Sequence, residues 1–218
     1  MTPSVSELLV VDPFAVMNTV GLVAFALVGA AKAVREHFDI FGVAVVGLAT
    51  AFAGGTTRDL LVDRVPLVLQ APVELGLGLL GVCLALALTA TRDAPDELRV
   101  TLLADAVGLA AFTTSGAIVA TQTGVSWVGV VVVATVNAVG GGALADILLD
   151  RAPFILLDDF YASCAVLGAS AYVLADGAGL AGGAAAAACA GVVVGTRVAA
   201  LVLGWELPTA QRLGLAEE

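Results

Sequence analysis

Long apolar runs, each near the length of a bilayer crossing, alternate with short polar breaks along almost the whole chain. They predict seven membrane-spanning helices: Phe14–Val34, Phe41–Val62, Pro72–Thr91, Thr101–Thr121, Val125–Leu149, Phe160–Ala175 and Leu180–Gly204, the sixth being short. The breaks carry charge and turn formers: Arg35-Glu36-His37, Asp63-Arg64-Val65-Pro66, Arg92–Arg99, Asp150-Arg151-Ala152-Pro153 and Asp176-Gly177. The fold class is all-α, an integral membrane bundle. It divides into an N-terminal tail over 1–13, a three-helix unit over 14–91, a linker over 92–100, a second three-helix unit over 101–175, a seventh helix over 176–204 and a C-terminal tail over 205–218.

The two three-helix units are copies. Displaced by 87 residues and without gaps, residues 18–69 lie on 105–156 with 21 of 52 identical. Val20-Gly21-Leu22 meets Val107-Gly108-Leu109, Gly54-Gly55 meets Gly141-Gly142, Asp59 meets Asp146, and Asp63-Arg64-x-Pro66 meets Asp150-Arg151-x-Pro153. Enrichment in Ala and Val would give scattered matches, not Gly, Asp, Arg and Pro in one register. Three crossings per copy is odd, so the second copy enters the membrane from the opposite side. Such inverted repeats are common in transporters, with sites near the repeat interface.

Composition agrees with lipid as the solvent. Hydrophobic residues make up 60% of the chain and charged ones 13%, against about 25% in soluble domains. Mean hydropathy is +1.05. The net charge of −10 excludes nucleic acid as a partner, which needs a basic face. The acids lie mostly in loops and tails, which fits either a high-salt surface or ordinary acidic loops. Lys32, Arg35, Arg92, Arg99, Arg151 and Arg212 fall on one side of the predicted topology and only Arg64 on the other, so the N-terminus is expected outside and the C-terminus inside the cell membrane. Cys83, Cys164 and Cys189 sit in apolar runs without metal-ligand spacing, so neither a disulfide nor a metal is expected. The N-terminus lacks the basic region of a signal peptide, and the first apolar run is expected to be retained.

Candidate chemistry gathers on the second and fifth spans, at Ala53-Gly54-Gly55-Thr56-Thr57-Arg58-Asp59 and Gly140-Gly141-Gly142-Ala143-Leu144-Ala145-Asp146. Consecutive glycines weaken a helix by about 1 kcal/mol each relative to Ala. They either permit a kink that bares carbonyls to a pathway or allow close helix packing. Asp59 and Asp146 lie at the ends of their spans, where a carboxylate requires a partner or water. Arg58 has Asp59, Asp63 or an acid of the second copy within reach; the Asp63 and Asp150 turns read as structural, with Asp bonding backbone amides. Asn18 and Asp105 are repeat mates that either line vestibules or cap helices. Thr113-Thr114-Ser115 and Asn137 offer oxygens at depth or bond their own helix. Lys32 and Arg197 are further vestibule or gate residues, and Arg197 must meet an acid or snorkel. His37 reads as a loop residue. Trp127, Trp205 and Tyr161 read as interfacial anchors. No GxSxG, HExxH or Walker A motif is present, and no enzyme is indicated.

The duplicated unit, the glycine runs and the closing seventh helix resemble the trimeric intracellular cation (TRIC) channels, most of all their prokaryotic branch. There the first run reads GGGTxRD; here it is Ala53-Gly54-Gly55-Thr56-Thr57-Arg58-Asp59. The resemblance spans Asn18 to Gly204. It implies a homotrimer in a lipid bilayer, with a pore in each protomer kinked open at the glycines and passing monovalent cations such as K⁺, with no cofactor. It also implies an alternative, a small amino-acid (glycine-like) transporter. A membrane scaffold without permeation is the third reading. Two departures stand out: Ala53 replaces the first glycine, and Ala145 stands where an arginine is usual. The missing arginine predicts an Asp146 without a local cation, open to a permeant one.

Overall fold

The computed structural model describes residues 12–91, 94–157 and 160–208. Among these the secondary structure is entirely helical: α1 (Pro13–Arg35), α2 (Ile40–Leu61), a single-turn α3 (Leu67–Gln70), α4 (Pro72–Thr91), α5 (Ala94–Gln122), α6 (Trp127–Leu148), a 3₁₀ turn at Phe154–Leu156, α7 (Ala162–Gly177) and α8 (Gly182–Leu203). Six of these helices are long and apolar enough to cross a membrane, and α7 is a shorter apolar helix. The protein is a multi-pass membrane protein, with side chains such as Phe41, Leu60, Leu103 and Val202 exposed on its outside. In water such a surface would be a large apolar patch.

Local chemistry sets the helix ends. Asp12 accepts from the Phe14 amide ahead of Pro13, which fits the first helical position because its missing N–H is no loss there. Asp39 and Ser126 cap α2 and α6 by accepting from Gly42 and Gly129. Helix α5 starts at Ala94 rather than Thr101, with Pro95 in its first turn.

Helices α1, α2, α5 and α6 form the centre, with α4 against α1 and the α7–α8 pair against α5 and α6. Side-chain contacts define two ends of the bundle. Asn18 of α1, Asp59 of α2 and Glu74 of α4 share one end, here the near end. Lys32 of α1, Asp105 of α5, Asp146 of α6 and Arg197 of α8 share the other, the far end. The middle is packed with small residues and one aromatic pair: Phe25 and Phe112 meet edge-on, ring centres 5.1 Å apart. Each ring occupies a notch left by a glycine of the other unit. A Cβ on Gly21 would lie 2.1 Å from Phe112, and one on Gly108 2.7 Å from Phe25.

Candidate functional site: two charged ends and a glycine seam

Asp59 and Asp146 are built into matching turns. After α2, Asp63 takes a positive φ of 54° and the Arg64 amide bonds the Asp59 carbonyl at 2.8 Å. After α6, Asp150 takes 55° and the Arg151 amide bonds the Asp146 carbonyl at 2.8 Å. Pro66 and Pro153 then turn the chain so that Leu67 N donates to Asp59 Oδ2 (2.9 Å) and Phe154 N to Asp146 Oδ2 (3.1 Å). The amide-bonding acids of these turns are therefore Asp59 and Asp146 rather than the expected Asp63 and Asp150. Each keeps one oxygen, Oδ1, for a cation.

The cations come from different places. Arg58, 2% exposed, folds back on its neighbour and reaches Asp59 Oδ1 through Nε and Nη2, both at 2.8 Å. Its guanidinium lies 5.6 Å from the Phe14 ring centre. In the second unit the equivalent position is Ala145, fully buried. Asp146 is nevertheless paired: Lys32 Nζ reaches its Oδ1 at 2.8 Å from the other unit, 5.0 Å from the Phe154 ring centre. The expectation of an Asp146 left open to a permeant cation is thus corrected. A lysine stem four carbons long lets α1 supply what position 145 does not.

A second polar bridge recurs at each end. Asn18 Nδ2 donates to Glu74 Oε2 (2.9 Å), and Tyr161 Oη donates to Asp105 Oδ1 (3.0 Å). Asn18 and Asp105 are repeat mates, and so are Glu74 and Tyr161 at the same offset. Neither Asn18 nor Asp105 caps a helix. Tyr161, expected at the interface, is 1% exposed. Arg197 Nη2 lies 3.9 Å from Asp105 Oδ2, with its guanidinium 4.7 Å from the Tyr161 ring centre, so it meets an acid rather than snorkelling. Glu74 is the residue that sequence reasoning missed. Its signal was present, as the one acid within the third span.

The two ends differ in volume. The near-end cavity measures about 20 Å³ and is bordered by Asn18, Gly55, Thr56, Arg58, Asp59 and Glu74. The far-end cavity measures about 330 Å³, bordered by Lys32, Arg35, Asp105, Asp146, Arg151 and Arg197. Arg151 is also ion-paired with Glu36.

Between them α2 and α6 cross at their glycines, and each run does two things. A Cβ on Gly54 would lie 2.0 Å from the Asn137 carbonyl oxygen, and one on Gly141 1.9 Å from the Thr50 carbonyl oxygen. These two mates let the backbones touch. Gly55 and Gly142 face space, the nearest atoms being Arg58 Nη2 at 3.8 Å and Phe154 Cε1 at 3.6 Å. Gly140 rests on Gly54, with Cα 3.3 Å from its Cβ position. Both helices remain α-helical through the runs. Asn137, fully buried, donates to the Phe112 carbonyl and to Ser115 Oγ, while its Oδ1 has no partner. Thr113 and Thr114 bond their own helix.

Comparison with known proteins bears on what this arrangement is. A family model described as "Glycine transporter" matches twice, over residues 15–90 and 102–177. The two matches sit 87 residues apart, as the internal repeat requires. A UPF0126 membrane protein from Deinococcus radiodurans is 40% identical over 158 residues, 71% of this chain and 73% of the relative. The UPF0126 inner membrane protein YadS of Escherichia coli is 31% identical over 70% of this chain and 73% of its own. The fold matches the TRIC trimeric intracellular cation channel orthologue from Rhodobacter sphaeroides with TM-score 0.82 at 32% identity, covering 88% of this chain and 98% of that one. The chain belongs to the prokaryotic branch of the TRIC family. A second TRIC cation-channel structure, described in terms of conductance, matches with TM-score 0.79 at 34% identity over 90% and 96% of the two chains. The structural relatives of this TRIC-family chain are ion channels, not enzymes.

Proposed function

We propose that this protein is a homotrimeric channel for monovalent cations, K⁺ foremost, with a pathway in each protomer between α1, α2, α5 and α6. Its similarity over nearly its full length to TRIC cation channels carries the reading. The topology is seven crossings: two inverted three-helix repeats and α8, with the near end outside and the far end inside the cell. Contacts that recur with their partners exchanged between units support the inversion: Gly54 against Asn137 and Gly141 against Thr50, Phe25 with Gly108 and Phe112 with Gly21. Asp59 and Asp146 concentrate cations at the two mouths, Arg58 and Lys32 hold those carboxylates while the path is shut, and Gly55 and Gly142 leave room beside it. Asn137 offers a carbonyl oxygen midway, and Asn18, Asp105, Ser115 and Arg197 shape the approaches. The described conformation is closed, since a cavity of about 20 Å³ at the near end admits one water-sized particle.

The alternative, a carrier for a small zwitterion such as glycine, draws on one observation: the far-end cavity of about 330 Å³ presents both cations and carboxylates. Single-channel recording in planar bilayers separates the two. The channel reading expects discrete current steps with K⁺ and reversal potentials near the cation limit. Saturable glycine flux without steps would replace it.

A further inference from the structure

Among the described residues, Glu74 is a buried acid for which no ion pair is found. At the far end Lys32 faces Asp146 and Arg197 faces Asp105, two cations against two carboxylates. At the near end Arg58 commits Nε and Nη2 to Asp59. Glu74 is 8% exposed, and its partner there is the neutral amide of Asn18. The two ends build the same polar bridge, yet only the far one receives a guanidinium, from a helix outside the duplication. Beside Glu74 there is instead the cavity of about 20 Å³.

Glu74 lies in the first turn of α4, whose N-terminus favours a carboxylate, but a buried carboxylate without a paired cation still leaves room for a counter-charge beside it. The cavity is large enough for one particle the size of water. It is also bordered by Asn18, whose Nδ2 faces Glu74 and leaves its own carbonyl as an acceptor, and by the hydroxyl-bearing Thr56. Arg58 Nη1 is buried without a hydrogen-bond acceptor, and the guanidinium as a whole lies over the Phe14 ring. A water would satisfy Nη1 but leave the charge of Glu74 unmet. A divalent ion wants six or more oxygens with several full charges, and here one of the two carboxylates is already held by arginine. Among the described residues no group of three or more His, Cys, Asp or Glu could hold such a metal.

We propose that the near-end cavity is a binding site for a single monovalent cation, with Glu74 supplying the charge and Asn18 and Thr56 supplying neutral oxygens. Its place in permeation rests on the channel reading; its existence does not. The site is tested on the purified full-length protein by following Tm as KCl is raised, with choline chloride keeping ionic strength constant. Once the site titrates, Tm is expected to rise by about 3–5 °C per tenfold increase in K⁺. Glu74→Gln should abolish the rise, Glu74→Asp should keep it, and Thr56→Val should move it to higher K⁺. A wild-type Tm indifferent to K⁺ would overturn the proposal without need of any variant, leaving water as the occupant. A Tm that follows pH but not K⁺ would overturn it in favour of a proton on Glu74. A K⁺-dependent Tm that survives in Glu74→Gln would place the ion elsewhere. Recordings that show a carrier would remove the channel reading and leave this titration standing.

Discussion

The two three-helix units keep the same backbone devices and neutralise their acids in different ways. In the first, Asp59 is held by the residue beside it, so the pair belongs to one helix and is almost fully buried. In the second, Asp146 is held by Lys32 from the other unit, and that lysine side chain is 19% exposed. Turn geometry, set by Asp, a positive-φ residue and Pro, stays the same in both copies. The source of the countercharge is free to move. One acid is therefore held by a pair internal to α2, and the other by a pair that ties α1 to α6.

The largest expected effect falls on the seam that the units share. Gly54→Ala or Gly141→Ala places a methyl about 2 Å from a backbone carbonyl of the facing helix, where no rotamer change relieves it. Overpacking against adaptable side chains costs about 1–3 kcal/mol, and here the helices themselves must part. Either variant should fail to give folded protein by size-exclusion chromatography. Normal yield and thermal stability would show that the units are not locked at this crossing.

A smaller effect separates the two ion pairs. Arg58→Met leaves Asp59 buried without a cation and should cost about 3–5 kcal/mol. Lys32→Met should cost clearly less, because the far-end cavity lets water reach Asp146. Lys32→Met combined with Asp146→Asn should be less damaging than Lys32→Met alone. Denaturation in detergent measures all of these. Equal losses for Arg58→Met and Lys32→Met would erase the contrast between the ends.

The smallest expected change in stability comes at the open glycines. Gly55→Ala and Gly142→Ala meet nothing closer than 3.6 Å and should leave the protein folded, with each helix stabilised by up to about 1 kcal/mol. On the channel reading K⁺ flux into liposomes should still fall, and fall further in the double variant. Unchanged flux per folded protein would mean that these two glycines do not border the path.

Much of this was legible in the chain. The apolar runs located the helices to within a few residues apart from the start of α5, and the 87-residue register exposed the duplication. Asp59 and Asp146 were legible because they are charged and repeated. Glu74 was legible only as a lone acid within a span, because the repeat does not flag it: its mate is Tyr161 and the pair shares no residue type. The Lys32–Asp146 contact was hidden for a related reason: spacing along one helix says nothing about a partner 114 positions away. The glycine runs invited a broken helix, but the same composition serves close packing, and only the facing carbonyls of Thr50 and Asn137 decide which glycine packs.

The paired notches around Phe25 and Phe112 have a consequence for origin. Each unit offers one ring and one notch, and each receives the same from the other, which is the signature of a self-complementary, two-fold interface. Two identical copies of a single three-helix chain, inserted in opposite directions, would already possess this contact in full. Joining two such copies would need no new interface between them. In a fused chain positions 58 and 145 are free to differ, and here one is Arg and the other Ala.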